Sequence, residues 1–349
     1  MQKLKNCLVL LCSLVVTALT VLYCGYLYVD IKMINENADL TESQDISSLL
    51  NATIENTKDD FETSISTPSQ EMQTEETVTV GAALSEAVGK IYEQVLSPYS
   101  AKLSYNNVYI KNTSGARVDI AEELGKGSKI KIKKNEEPQV LIIHTHATES
   151  FMDEERDFYT AADKSRTTDN NKNITHLGEI IAKKLNDAGI KTLQDKTLHD
   201  YPSYTGSYTR SAKTVNEYLS KYPSIKVVID LHRDSISLEG SNRAKPTIEI
   251  NGKKAAQIML CMGSETGTVT GYPNWRENLR FAIKYQQTIE ALYPSLARPL
   301  LLRSSKYNQN LSVGSILLEI GTESNTLKEV EYSATLAAEA LINLLNTMV

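Results

Sequence analysis

QVLIIHTHATE, residues Gln139–Glu149, decides the fold. Gln139–Ile143 is a short apolar run of the kind found in a strand buried on both faces. It empties without a linker into His144-Thr145-His146-Ala147-Thr148-Glu149. Downstream, Asn173–Ala188 carries helical apolar spacing and stops at Gly189, where a helix turns off. Lys191–Gln194 reads as a strand, Ser207–Lys221 as a helix and Ile225–Leu231 as a second buried strand. Two further strands are expected over Thr247–Glu249 and Ala255–Met262, around the strong turn signal Asn251-Gly252. A helix over Asn274–Leu292, strands over Arg298–Leu302 and Ser315–Ile320, and a helix over Thr326–Met348 complete the chain. Strands alternating with helices predict an α/β fold, a mostly parallel sheet with helices on both faces.

Ligands of such sheets bind outside the carboxyl ends of the strands. One strand ends in the His144–Glu149 cluster, another in His232-Arg233-Asp234, and a late one in Glu319 followed by GTESN. Three of the five histidines therefore gather at one sheet edge. Two neutral imidazoles and a carboxylate, with a fourth position open to water, make a catalytic zinc arrangement. A further carboxylate there can serve as general base. Each residue alone is weak, since a single histidine at a strand end is more often structural. His144 and His146 would share a face on a continuing strand, and one of them suffices as ligand. Glu319 has a bland alternative as the ion-pair partner of Arg233 or Arg303. His176 on a helix and His199 in a Tyr-rich loop read as structural, with His199 also able to face substrate; Trp275 reads as helix-start packing. No GxSxG elbow, Walker loop or HExxH motif is present.

The 349 residues carry a net charge of −6, unevenly spread. Asp30–Val80 holds 12 acidic and 2 basic residues, so the remainder is mildly basic. That balance gives no nucleic-acid footprint. Cys7, Cys12 and Cys24 lie in one apolar run and Cys261 stands apart, which excludes a disulfide framework and a CxxC thiolate site. Any metal is left to His and carboxylate. Cys7–Val29 runs 23 positions without a charge, long enough to span a bilayer. It ends in tyrosines at the expected interface, with no small-residue cleavage site. The expected order is a cytoplasmic stretch (1–6), a transmembrane helix (7–29), an acidic flexible linker (30–80), a small extension (81–138) and a catalytic domain (139–349). Within the extension, Gly81–Leu96 has helical apolar spacing, and short strands are expected around Val108–Ile110 and Ile130–Ile132.

VLIIHTHATESF, HDYPSYTGSYTRS, VVIDLHRD, RSSKYNQNLSVGS and LLEIGTESNTLKE, in this order, closely resemble the stage II sporulation protein P family. The resemblance covers about Gln139 to the end and extends to the anchor and tether. It implies a zinc-dependent, N-acetylmuramoyl-L-alanine amidase-like fold that cleaves septal peptidoglycan, including stem-peptide cross-links, during engulfment. It also implies two partners, stage II sporulation protein D, a lytic transglycosylase, and protein M, and a catalytic domain outside the membrane. His146 and His232 match the histidine ligands of zinc cell-wall amidases, and Glu319 matches their catalytic Glu before G-x-x-S-N. The family's first-helix Glu has no counterpart in DNNKN (169–173), so Glu149 stands in as the third ligand to Zn²⁺, with His144 as the other choice. Arg233 or Arg303 would steady an oxyanion or a substrate carboxylate. A glycan-binding scaffold without activity and a zinc-dependent wall deacetylase are the alternatives.

Overall fold

The strands, in chain order, are β1 (Ala87–Gln94), β2 (Leu103–Tyr105), β3 (Val108–Asn112), β4 (Val140–Ile143), β5 (Phe158–Thr160), β6 (Thr192–Gln194), β7 (Val227–Asp234), β8 (Arg243–Ile250), β9 (Lys253–Ala256), β10 (Ile258–Gly263), β11 (Leu300–Arg303) and β12 (Ser315–Thr322). The helices are α1 (Ile120–Lys126), α2 (Ile174–Asp187), α3 (Ser207–Lys221), α4 (Trp275–Leu292) and α5 (Leu327–Asn346). These come from a computed structural model that describes residues 87–349. The anchor over 7–29 and the linker over 30–80 lie outside the described residues. Among those described, no helix is long and apolar enough to cross a membrane.

The main sheet has eight strands in the order β2-β3-β11-β10-β12-β7-β4-β6. Its half around β4 is parallel, as expected: β6, β4, β7 and β12 all run the same way. The other half departs from the expectation. β10 pairs antiparallel to β12, and β11 and β3 follow β10, so the sheet is mixed. The reversal arises because β10 is reached through the β8–β9 hairpin of the second sheet rather than through a helical crossover. Asn251 (φ 51°) and Gly252 (φ 73°) make the two-residue turn between β8 and β9, both in the left-handed region that Asn-Gly tolerates. The single strand expected over Ala255–Met262 is split at Gln257. β9 closes a second sheet, β5-β1-β8-β9, and β10 enters the main one.

Alternation along the buried strands sorts the core into two faces. Val140 and Ile142 of β4 join the main core with Ile174, Leu177, Ile181 and Leu185 of α2, and with α4 and α5. Leu141 and Ile143 join a smaller core with Val215 of α3. Each such buried aliphatic side chain contributes about 1.5–3 kcal/mol. Helices are thus unequally shared, with α1, α2, α4 and α5 packed into one face's core and α3 into the other's. Side-chain caps set the helix starts. Asn173 accepts from Thr175 N, and Thr326 and Glu329 form a capping box on α5.

Gly81–Leu96, expected as a helix, instead contains strand β1. Its backbone pairs with β5 and, over Ile91–Gln94, in parallel with Arg243–Pro246 of β8. Tertiary pairing overrides the local spacing, and a side chain at Gly89 would strike the Ser241 carbonyl. Ile130 and Ile132 are buried in the main core without forming a strand.

Candidate metal centre

β7 lies between β4 and β12, and the register pairs His232 with Glu319. Paired residues of parallel strands share a face, so both stand on the α3 side with Asp230 and Val228. The register of β7 and β12 shifts between Glu319 and Thr322, where Gly321 has φ 66°. There Asn325 Oδ1 accepts from Thr322 N at 2.9 Å, closing the GTESN turn.

At the exit of β4 the two histidines part company. His144 continues toward the main core, with Nδ1 3.2 Å from Leu231 O and Nε2 3.0 Å from Gln194 Nε2, over Gly178. Burial lowers its pKa to about 4, so it is a neutral packed imidazole with both nitrogens engaged. The chain then leaves the strand, which breaks the two-residue periodicity that would have put both rings on one face. His146 therefore lies against α3, stacked on Tyr204 at 4.5 Å and edge-on to Tyr208 and His232 at 5.6 and 5.2 Å. Its Nε2 is 3.1 Å from Tyr204 Oη, and its buried Nδ1 has no protein partner.

Glu149 is fixed by the same turn. Its amide donates to His146 O, and its carbonyl accepts from Ile174 N at 2.7 Å. Oε2 accepts from Arg233 N at 3.0 Å and lies 3.6 Å from His232 Nδ1; Oε1 is 3.8 Å from Arg166. His232 Nε2 sits 2.9 Å from Asp230 Oδ1, outside hydrogen-bond alignment, and Asp230 is held by the amide and hydroxyl of Thr145 at 2.8 and 2.6 Å. His146, Glu149, His232 and Glu319 thus meet from three elements. Each of the two imidazoles has Nε2 against a neighbour, Tyr204 for His146 and Asp230 for His232, with Nδ1 on the other side. A partner on the far ring nitrogen is the arrangement that orients a metal-ligating histidine.

The electrostatics suit a cation-binding cluster. Burial lowers His146 to about 3, which keeps it neutral and ready to ligate. Burial opposes charge on His232 as well, yet Asp230 and Glu149 raise it well above the ordinary value. Burial alone would raise Glu149, but His232, Arg233 and His146 hold it well below the carboxylate range. A protonated His232 thus balances the Asp230 and Glu149 carboxylates beside it. Glu319, with Oε2 buried and unpartnered, is pushed up to about 8 by burial, then by Asp234 and Glu149, against His232 and Arg298.

The ligand atoms of His146, Glu149 and His232 are more widely spread than those of Glu93, Glu155 and Glu329, which all lie within 4.8 Å. The acidic trio is already paired, since Lys245 contacts all three carboxylates and Lys254 contacts Glu93 and Glu155.

Of the two arginines singled out in the sequence, Arg233 flanks this cluster with its guanidinium spent elsewhere, and Arg303 is placed apart from it. Arg233 is buried, donating to Ser150, Ser165 and Asp234 carbonyls. Arg303 pairs in register with Gly263, near the Ser315 end of β12 and about four residues from the level of Glu319. Because β11 runs against β12, its carboxyl end reaches the opposite edge of the sheet. His199 is buried between His144 O and Thr214, so it does not face substrate. Sequence reading gave no role to Asp230, Tyr204 or Arg166. Asp230 was legible in principle, two positions before His232 on one strand face. Arg166 carried no signal; it reaches Asp200 at 2.7 Å and lies over the Tyr204 ring.

Among solved structures, an N-acetylmuramoyl-L-alanine amidase from Clostridium difficile 630 is 15% identical, covering 61% of this chain and 97% of its own, at a TM-score of 0.36. The CwlD amidase of Clostridioides difficile, solved in complex with the GerS lipoprotein, is 14% identical over 60% of this chain and 98% of its own, at 0.35. Stage II sporulation protein P of Bacillus subtilis (strain 168) is 28% identical over 211 residues, 57% of this chain and 49% of that protein. The match therefore spans about half the length of that curated relative. The family model for Stage II sporulation protein P (SpoIIP) matches residues 27–342, and by that match the chain belongs to this family.

Proposed function

We propose that the protein is a zinc-dependent N-acetylmuramoyl-L-alanine amidase acting on septal peptidoglycan in sporulation, with endopeptidase action on stem-peptide cross-links. The observation that carries this reading is the buried, unpartnered Nδ1 of His146 beside the His232–Glu149 pair. His146, Glu149 and His232 would hold Zn²⁺, and Asp230 and Tyr204 would fix the two rings. When bound, the metal supplies Lewis-acid polarisation of the amide carbonyl and a lowered pKa for water. Glu319 takes the proton of the attacking water and passes it to the leaving amine nitrogen. The muramoyl carbon gains the hydroxyl as its bond to nitrogen breaks. Family membership supports the wall as substrate, the D and M proteins as partners, and an anchored catalytic domain outside the membrane.

Purified full-length protein incubated with peptidoglycan and zinc tests the reading. Free stem peptides are expected, and a chelator should abolish their release. Released acetate would instead mark a deacetylase, and intact muropeptides a binding scaffold.

A further inference from the structure

Arg298 is buried just ahead of β11, its side chain 5% exposed, and its amide donates to Ile258 O at the start of β10. Strand order places β10 and β12 between β11 and β7, so about 14 Å of sheet separates Arg298 from Asp234. Yet Arg298 Nη1 lies 2.8 Å from Asp234 Oδ2. The side chain must therefore extend past the carboxyl end of β12, the end that bears Glu319. Charge on both Arg298 and Asp234 bears on the Glu319 carboxyl.

Nη1 is the only guanidinium nitrogen with a side-chain partner. Nε and Nη2, both buried, have none. Those two N–H groups lie side by side on one edge of the guanidinium plane, the fork that grips a carboxylate with two parallel bonds. Leaving such donors buried without an acceptor is costly and calls for an explanation. The neighbouring arginines offer no such edge, because Arg233 is spent on carbonyls and Arg166 on Asp200.

We propose that the free edge of Arg298 receives a carboxylate of the substrate's peptide portion and holds it beside Glu319. This rests on the amidase reading and makes Arg298 a specificity-determining residue for acidic peptides. The edge is closed to water in the free protein, so ligand entry requires a local shift of its cover.

Zinc-loaded full-length protein is assayed with muramoyl-peptides whose peptide carboxylates are free or amidated. Wild type should prefer the free acid. R298Q should raise KM for the free acid about 10–100-fold, the range for a charged hydrogen bond. Its zinc content and its KM for the amidated peptide should change little; kcat is compared in R298K, which keeps the charge that Arg298 places on Glu319. R298K keeps a charge for Asp234 and lacks the fork, so it should also lose selectivity, and it decides the matter if R298Q misfolds. Equal losses on both peptides, or full selectivity in R298K, overturn the proposal. Calorimetric binding of the two peptides to E319Q and E319Q/R298K supplies a readout without turnover. If wild type cleaves neither peptide the amidase reading fails, while binding of the free acid that survives R298K still refutes the role of Arg298.

Discussion

His232 stands between two buried carboxylates, and its neighbours decide its chemistry more than its own type does. Raised well above the ordinary histidine range, it contributes stability in the metal-free protein that is full below the unfolded pKa near 6.5. That contribution is lost as pH rises through the folded value. Glu319 acts in the same direction: raised to about 8, it favours the fold below pH 4.5 and ceases to do so by about 8. Metal-free protein should therefore melt at lower temperature as pH climbs from about 6.5 to 9, above the range in which the neutral buried His144 and His146 act the other way, and saturating zinc should flatten that slope. Thermal melts across this range, with and without zinc, measure both. The carboxylates separate by substitution. Glu319→Gln should retain zinc and lose about 10²–10⁴ in kcat, as removal of a general base does. Glu149→Gln should lose zinc first, read by metal analysis after dialysis. His144→Ala should keep its zinc and cost stability, because His144 packs and does not face the site. Strand-end position and residue type picked out His146, Glu149, His232 and Glu319 as a group, and the structure gathers them at one sheet edge. Which of the two histidines turns inward depended on where the chain leaves β4, a matter of tertiary path that spacing does not encode.

The strand and helix pattern from Gln139 onward was legible because buried parallel strands and amphipathic helices write strong periodicities. α3 begins and ends where its spacing predicted, at Ser207 and Lys221. What was not legible involved long-range pairing. β1 becomes a strand only because β5 and β8 flank it, and β10 reverses direction only because Gln257 hands the chain from one sheet to the other. Arg303 was placed with the site by assuming parallel strands, and the reversal removes it. The turn after Glu319 is the local element most sensitive to substitution. A Cβ at Gly321 would meet Asn325 Oδ1 at 2.9 Å and the Ala256 and Val330 side chains at 3.0 Å, at a φ that disfavours any side chain. Gly321→Ala should destabilise the fold by about 1–3 kcal/mol. It should also reduce activity at unchanged zinc content by moving Glu319. A melting temperature equal to wild type would show that the turn relaxes freely.

For the whole molecule, the acidic segment between anchor and domain is proposed to be a tether whose reach matters and whose order does not. About 50 flexible residues span roughly 35–40 Å root-mean-square, and excess negative charge extends them further. Scrambling 30–80 at constant composition should leave sporulation intact, whereas deleting most of it should block sporulation while purified protein still cuts wall. Equal failure of both variants would reveal a binding motif in the segment. The order of strands carries a further consequence, for the timing of synthesis. Thr113, just past β3, bonds Leu302 across 189 residues of chain, and β1 finds its partner β8 only in the second half. At translation rates of about 5–20 residues per second, β3 waits on the order of 10–40 s for β11 to be made. β2 and β3 can pair with each other at once and β1 with β5 soon after, but the other edges of β3 and β1 wait for β11 and β8, so the sheets close late. A chain that stays open until its last third is synthesised remains threadable through a membrane pore for most of its production.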